Sequence, residues 1–218
     1  EGNKEILSDV AEIIYMNDPY FEDIFSLWIL HSNIAKNIEQ ATVWYMFFNK
    51  FNVDSFAKAD LQKKMKQELF NYVGQQVTES SLKDDMDVLL NMYSKGDNRN
   101  EDPEDKIISP FSALGIMKKE EETYYKIQPD LRRIANELVL YEISCLLDHN
   151  KSISIETIAS GERSLGAIYN MTMVTVNKYL DNLEAMGYIR VDRTAGLDMV
   201  YPVNVKSPME IIKDYYSK

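Results

Sequence analysis

The stretch Thr172–Arg190, TMVTVNKYLDNLEAMGYIR, decides the fold. Val176, Leu180, Leu183 and Met186 recur at helical spacing and keep one apolar face. Gly187 stops that helix in the way a glycine just past a helix end does. The chain continues as VDRTAGLDMVYPV (191–203). Its β-rich runs Tyr188–Val191 and Met199–Val203, joined through Thr194-Ala195-Gly196, read as a two-stranded wing. Upstream, Leu131, Ile134, Leu138 and Cys145 space a helix over 131–147, and Asn150-Lys151-Ser152 makes a turn. A short extended piece, Ile153–Ile155, and a helix from about Glu156 follow. Helix, short strand, helix, helix, wing is the order of a winged helix-turn-helix, here spanning Asn136–Val203.

Working back toward the N-terminus, Ile6, Val10, Ile13 and Ile14 predict a helix over 4–16, broken at Asp18-Pro19. A second helix runs from about Glu22 to Lys36, with apolar residues around most of its circumference. A third, about Ile38 to Phe51, carries Trp44, Tyr45, Phe47, Phe48 and Phe51. A fourth, about Lys58 to Val73, turns Leu61, Met65, Leu69 and Tyr72 inward and Lys63, Lys64 and Lys66 outward. A fifth starts at a capping box formed by Ser81, or Ser80, with Asp84, and runs to about Met92. Gly96–Lys106 is polar, acidic and non-periodic and reads as an exposed loop. Residues 112–128 read as a β-hairpin with its polar turn at Lys118–Glu122. Residues 39–128 thus follow the order of the C-terminal region, which leaves two readings open: a divergent copy of the winged helix, or a helical part of its own. The expected architecture is mainly α, with a helical domain at 1–130 and a winged helix-turn-helix domain at 131–218.

Composition narrows the function. The net charge is −11, yet residues 151–218 hold 8 basic and 8 acidic side chains, so the whole deficit lies in 1–150. Backbone binding to nucleic acid draws on clustered Lys and Arg, so the acidic first part argues against a broad basic surface there but leaves room for a local basic patch. The single cysteine, Cys145, permits no intrachain disulfide and reads as a small buried hydrophobe in the apolar run Leu138–Leu147. No apolar run approaches the length of a membrane span, and no signal peptide is legible. A cytoplasmic protein without a cofactor is expected. The chain begins at Glu1 rather than Met, so an N-terminal portion is expected to precede it.

On the presumed recognition helix, Thr172, Thr175, Asn177, Lys178, Asp181 and Asn182 lie outside the apolar face. Thr and Asn can read base edges, and Lys178 can meet a phosphate. Arg190 and Arg193 on the wing can grip the backbone, against Asp181, Glu184, Asp192 and Asp198. DNA binding at Thr172, Thr175, Asn177, Lys178, Arg190 and Arg193 is therefore expected to be weak for the chain alone. The competing reading is a solvated helix face. His31 and His149 stand alone in their segments, His31 as a core histidine and His149 at a helix end. Two acidic groups, Asp18, Glu22, Asp23 and Asp84, Asp85, Asp87, could in principle hold Mg²⁺. Asp85 and Asp87 point about 200° apart on one helix, while Asp18, Glu22, Asp23 and Asp84 suit helix starts, so no metal site and no nicking by the protein alone is expected.

The motifs Asp18-Pro-Tyr-Phe-Glu-Asp, Leu27-Trp28-x-Leu30-His31, Thr42-x-Trp44-Tyr45-x-Phe47-Phe48-Asn49 and Ser81-Leu82-Lys83-x-Asp85-x-Asp87-x-x-Leu90-x-x-Tyr93 resemble a bacterial family. It is the domain of unknown function numbered four thousand and seven. The resemblance covers about residues 10–128. It implies a place in anti-phage loci that carry DNA phosphorothioation systems, beside partner subunits, and includes the nicking subunit of the single-strand systems. Members typically begin further upstream with a His- and Arg-containing segment, which this chain lacks. The resemblance carries no catalytic residue over: Trp28, His31, Trp44 and Asn49 read equally as core. Three functions follow for comparison: a DNA-contacting component that positions partner enzymes, a Mg²⁺-dependent nickase, and a protein-docking assembly module.

Overall fold

The computed structural model describes residues 8–74, 78–95, 109–147 and 150–218. The predicted loop Gly96–Lys106, the first residues of the first predicted helix and His149 lie outside the described residues. Helices α1 (Asp9–Asn17), α2 (Ile24–Lys36) and α3 (Thr42–Asn49) open the chain, followed by β1 (Ser55–Ala57), α4 (Lys58–Val73) and α5 (Glu79–Tyr93). A short strand β2 (Ser94–Lys95) and the hairpin β3 (Met117–Glu120) and β4 (Thr123–Lys126) complete the first part. The second consists of α6 (Asn136–Leu147), β5 (Ile153–Ser154), α7 (Ile155–Ser160), α8 (Leu165–Tyr169), α9 (Met173–Ala185), β6 (Ile189–Asp192), β7 (Met199–Pro202) and α10 (Pro208–Tyr216).

The protein is mainly α, with two small sheets among the described residues. In the C-terminal sheet, ordered β5-β7-β6, the short strand between the first two helices pairs antiparallel with the second wing strand through Ile153↔Val200. With α6, α7 and α9 this is the winged helix-turn-helix arrangement. The N-terminal sheet, ordered β1-β4-β3-β2, uses the same device: β1 lies between α3 and α4 and pairs antiparallel with β4 through Phe56↔Tyr124. Helix, short strand, helix, helix, hairpin therefore occurs twice. The first occurrence adds the edge strand β2, parallel to β3, and the second inserts α8. Gly166 permits that insertion. A Cβ there would stand 2.1 Å from the Ala159 carbonyl oxygen, so only glycine lets α8 approach α7 this closely.

Several local expectations need correction. Strand β1 and helices α8 and α10 have no counterpart in the sequence reading. Helix α5 starts at Glu79 behind Thr78, so Ser80, Ser81 and Asp84 lie inside it and form no capping box. The box occurs instead at Ser207 and Glu210 of α10. A 3-10 turn, Leu131–Arg133, precedes α6, which itself begins only at Asn136. In the first hairpin β3 continues through Glu120, and the chain reverses at Glu121, whose φ is 53°. Tyr72 faces solvent because α4 has passed the end of its packing surface, and Cys145 is half-buried on α6.

The core is continuous from Val10 to Ile212 and crosses the 130/131 position. α10 packs on α6 and α1, and α2 packs on α3, α6 and α8. Glu142 and His31 are among the polar groups buried in this shared core. Glu142 of α6, 1% exposed, accepts from Ser32 Oγ (2.6 Å) and Tyr169 Oη (2.5 Å) and pairs with Lys36. A carboxylate at that depth persists only because its charge and lone pairs are met. His31, fully buried, donates from Nε2 to the Ile168 carbonyl (2.8 Å) and accepts at Nδ1 from Tyr93 Oη (2.8 Å). Burial lowers its pKa to about 4, so it is neutral at pH 7. Trp28, Phe48, Tyr93 and Tyr169 meet its ring edge-to-face.

Candidate nucleic-acid interface

Thr172 is the N-cap of α9, and its Oγ1 accepts from the Thr175 amide. The helix stands on Val176, Leu180 and Leu183, each 0% exposed, with Tyr179 Oη donating to the Leu131 and Ile134 carbonyls (both 3.0 Å). Burying each leucine stabilises the seat by roughly 1.5–3 kcal/mol. The face turned away presents Thr172, Met173, Val174, Lys178, Asp181 and Asn182 to solvent. Lys178 is exposed and, among the described residues, makes no ion pair.

The six residues expected to touch DNA do not share one surface. Thr175 is withdrawn: it is 6% exposed and donates from Oγ1 to Gln128 Oε1 (3.0 Å). It lies one position from Val176, at the edge of the apolar stripe, and a hydroxyl there is satisfied from the neighbouring hairpin. Asn177 is half-buried and occupied by the wing, because its Oδ1 accepts from Arg193 Nη2 (3.0 Å). Arg193 also donates to Asp181 Oδ1 (2.7 Å), which ties the wing to α9. Arg190 lies 4.2 Å from the Tyr201 ring centre and pairs with Asp192 at 3.4 Å. Hydrogen bonds from Thr194, then Arg190, hold the Asp192 carboxyl below the usual range. Lys178 therefore remains open, Thr172 is exposed but spends its Oγ1 on the cap, and both arginines meet carboxylates.

Sequence reasoning missed the first hairpin's role. Gln128, just past β4, accepts at Oε1 from the Thr172 amide (3.2 Å) and from Thr175. Asn170, held at φ 52°, donates to the Ile116 (2.9 Å) and Ile127 (3.0 Å) carbonyls of that hairpin. A polar residue with positive φ just before an N-cap is a local signal, but its partners are more than 40 residues away. Between the two parts lies a cleft of about 480 Å³, lined by Asn52, Asp54, Lys126 and Gln128 on one side and Thr172 and Met173 on the other. Lys126 donates to the carbonyls of Phe47 in the last turn of α3 (2.8 Å) and of Phe51 just beyond it (2.6 Å). Burial pushes its ammonium down to about 7, against the pull of Asp54.

The acidic groups are engaged locally. Asp18 accepts from the Glu22 (2.8 Å) and Asp23 (3.2 Å) amides and from Ser26 Oγ, and Asp23 caps α2. Asp87 pairs with Lys58. Among the described residues, no three His, Cys, Asp or Glu side chains stand where they could share a metal ion.

A family model described as "Protein of unknown function (DUF4007)" matches residues 1–216. The chain belongs to this family. Two solved structures are similar to this DUF4007 chain. One, titled "Magnesium ion-bound SspB crystal structure", has a TM-score of 0.78 at 20% identity over 91% of this chain and 60% of that one. The other, "SspB crystal structure", has a TM-score of 0.77 at 19% identity over 96% and 62%. The fold is thus shared, and the DUF4007 chain spans about three fifths of the SspB chains it matches. The curated proteins contain no match. No helix among the described residues is long and apolar enough to cross a membrane.

Proposed function

We propose that the protein is the DNA-contacting component of a bacterial phosphorothioation and phage-defence complex, acting in the cytoplasm to position partner enzymes on DNA. One observation carries this reading: the outer face of α9 exposes Thr172, Val174, Lys178, Asp181 and Asn182. A helix so placed in a winged helix can enter a major groove, where Val174 suits a thymine methyl and Lys178 a phosphate. Family membership and the SspB-like fold support the setting. In this reading residues 131–218 contact DNA and residues 1–130 face partners. With Arg190 and Arg193 already paired to Asp192 and Asp181, binding by the chain alone is weak and strengthens inside a complex.

A filter-binding titration against salt tests it. Lys178→Ala should lower the slope of log K on log salt by about one. An unchanged slope would remove α9 from the interface. The nickase reading draws on the magnesium ion of the SspB neighbour. Plasmid relaxation that requires Mg²⁺ and survives Lys178→Ala would favour it.

A further inference from the structure

The elbow between α1 and α2 carries a second surface. Within seven positions Tyr15, Met16, Tyr20 and Phe21 are 65%, 72%, 83% and 42% exposed. Beside them opens a pocket of about 170 Å³, walled by Ala11, Ile14, Tyr15, Pro19, Phe21 and Leu30. The elbow is held rigid. Asp18 ties down the Glu22 and Asp23 amides and Ser26 Oγ, and Ser26 Oγ meets Tyr216 Oη at 2.6 Å. Phe21 sits at φ 56°, a conformation bulky side chains seldom adopt. A strained aromatic kept half-exposed at the mouth of an apolar pocket is poorly explained by folding alone.

Along the chain the local charge has one sign: from residue 8 to residue 35 there is no Lys or Arg, while Asp9, Glu12 and Glu22 are exposed there, Asp23 is half-buried and Asp18 is buried. We infer that this elbow docks a segment of a partner protein that presents apolar anchors flanked by lysines or arginines. Rigid aromatic and methionine side chains are the residues that carry such contacts, and the acidic rim selects cationic flanks. A second copy of this chain is a poor occupant. Its lysine-rich helix, α4, already has Lys58, Lys64 and Lys66 paired to Asp87, Glu68 and Glu79.

The test uses the whole chain and two labelled amphipathic peptides, one of Leu and Lys, the other with Glu for each Lys, read by fluorescence anisotropy. The Lys peptide should bind at least about tenfold more tightly than the Glu peptide. Met16→Ser with Tyr20→Ser should abolish that difference at unchanged melting temperature, since both side chains are exposed. Val88→Ser, an exposed apolar change on α5, should leave it intact. Equal binding of both peptides, or a double variant that binds as the parent does, overturns the inference. So does light scattering that shows a parent dimer dissolved by the double variant, which would make a second copy the occupant.

Discussion

Helices α5 and α9 hold the same place in two runs of similar order, yet their outer faces differ. α5 shows Glu79, Lys83, Asp84, Asp85 and Val88 to solvent, with Asp87 half-exposed. α9 shows Thr172, Val174, Lys178, Asp181 and Asn182. Beneath, they agree: Leu82, Met86, Leu89 and Leu90 seat one, and Val176, Leu180 and Leu183 the other. The apolar stripe sets the architecture, and the opposite face is free to diverge. An acidic α5 is repelled by phosphate, whereas a near-neutral α9 can be tuned toward it.

The comparison can be broken first in the core. Leu89→Ala and Leu183→Ala each remove a fully buried side chain and should cost about 2–5 kcal/mol. Because the core is continuous, each should shift one common urea transition. Two separate transitions would mean that the parts fold independently.

The meeting point of the parts supplies the next effect. His31 bonds Tyr93 of α5 and the Ile168 carbonyl of α8. Its pKa falls from 6.5 in the unfolded chain to about 4 in the fold. The unfolded state therefore binds the extra proton between those values, so stability is lost as pH drops from about 6.5 toward 4, by up to about 3 kcal/mol. Urea midpoints across that range should fall for the parent and stay flatter for His31→Gln. Parallel profiles would show that His31 does not titrate there.

The smallest effect separates the outer faces. Asp181→Asn frees Arg193 and should raise DNA affinity a few-fold, steepening the salt slope by about one. Asp84→Asn on α5 removes the same charge and should change affinity less, since screening over about 10 Å leaves little of it at α9. Equal gains would mean that net charge, not the α9 face, governs binding.

Much of this was legible in the sequence. The 3.6-residue spacing of Val176, Leu180 and Leu183, with Gly187 and the β-rich runs behind it, was enough to place α9 and its wing. The repeated order was visible too, but strand β1 was not: Ser55–Ala57 carries one buried side chain, Phe56, and a three-residue strand has too little periodicity to register. Helix α8 escaped because its formation depends on Gly166 lying against α7, a contact between segments. At the candidate site, Thr172 and Lys178 were placed correctly on the surface. Thr175, Asn177, Arg190 and Arg193 were not predicted to be engaged, because Gln128, Asp181 and Asp192 engage them through folding geometry that spacing does not encode.

Gln128 has a mechanical consequence. It closes the first hairpin and at the same time holds the first turn of α9 through Thr172 and Thr175. The hairpin is therefore a lever whose short arm ends on α9. A load that displaced Met117–Lys126 would either carry the start of α9 with it or strip that turn of its restraint, at a cost of about 1 kcal/mol.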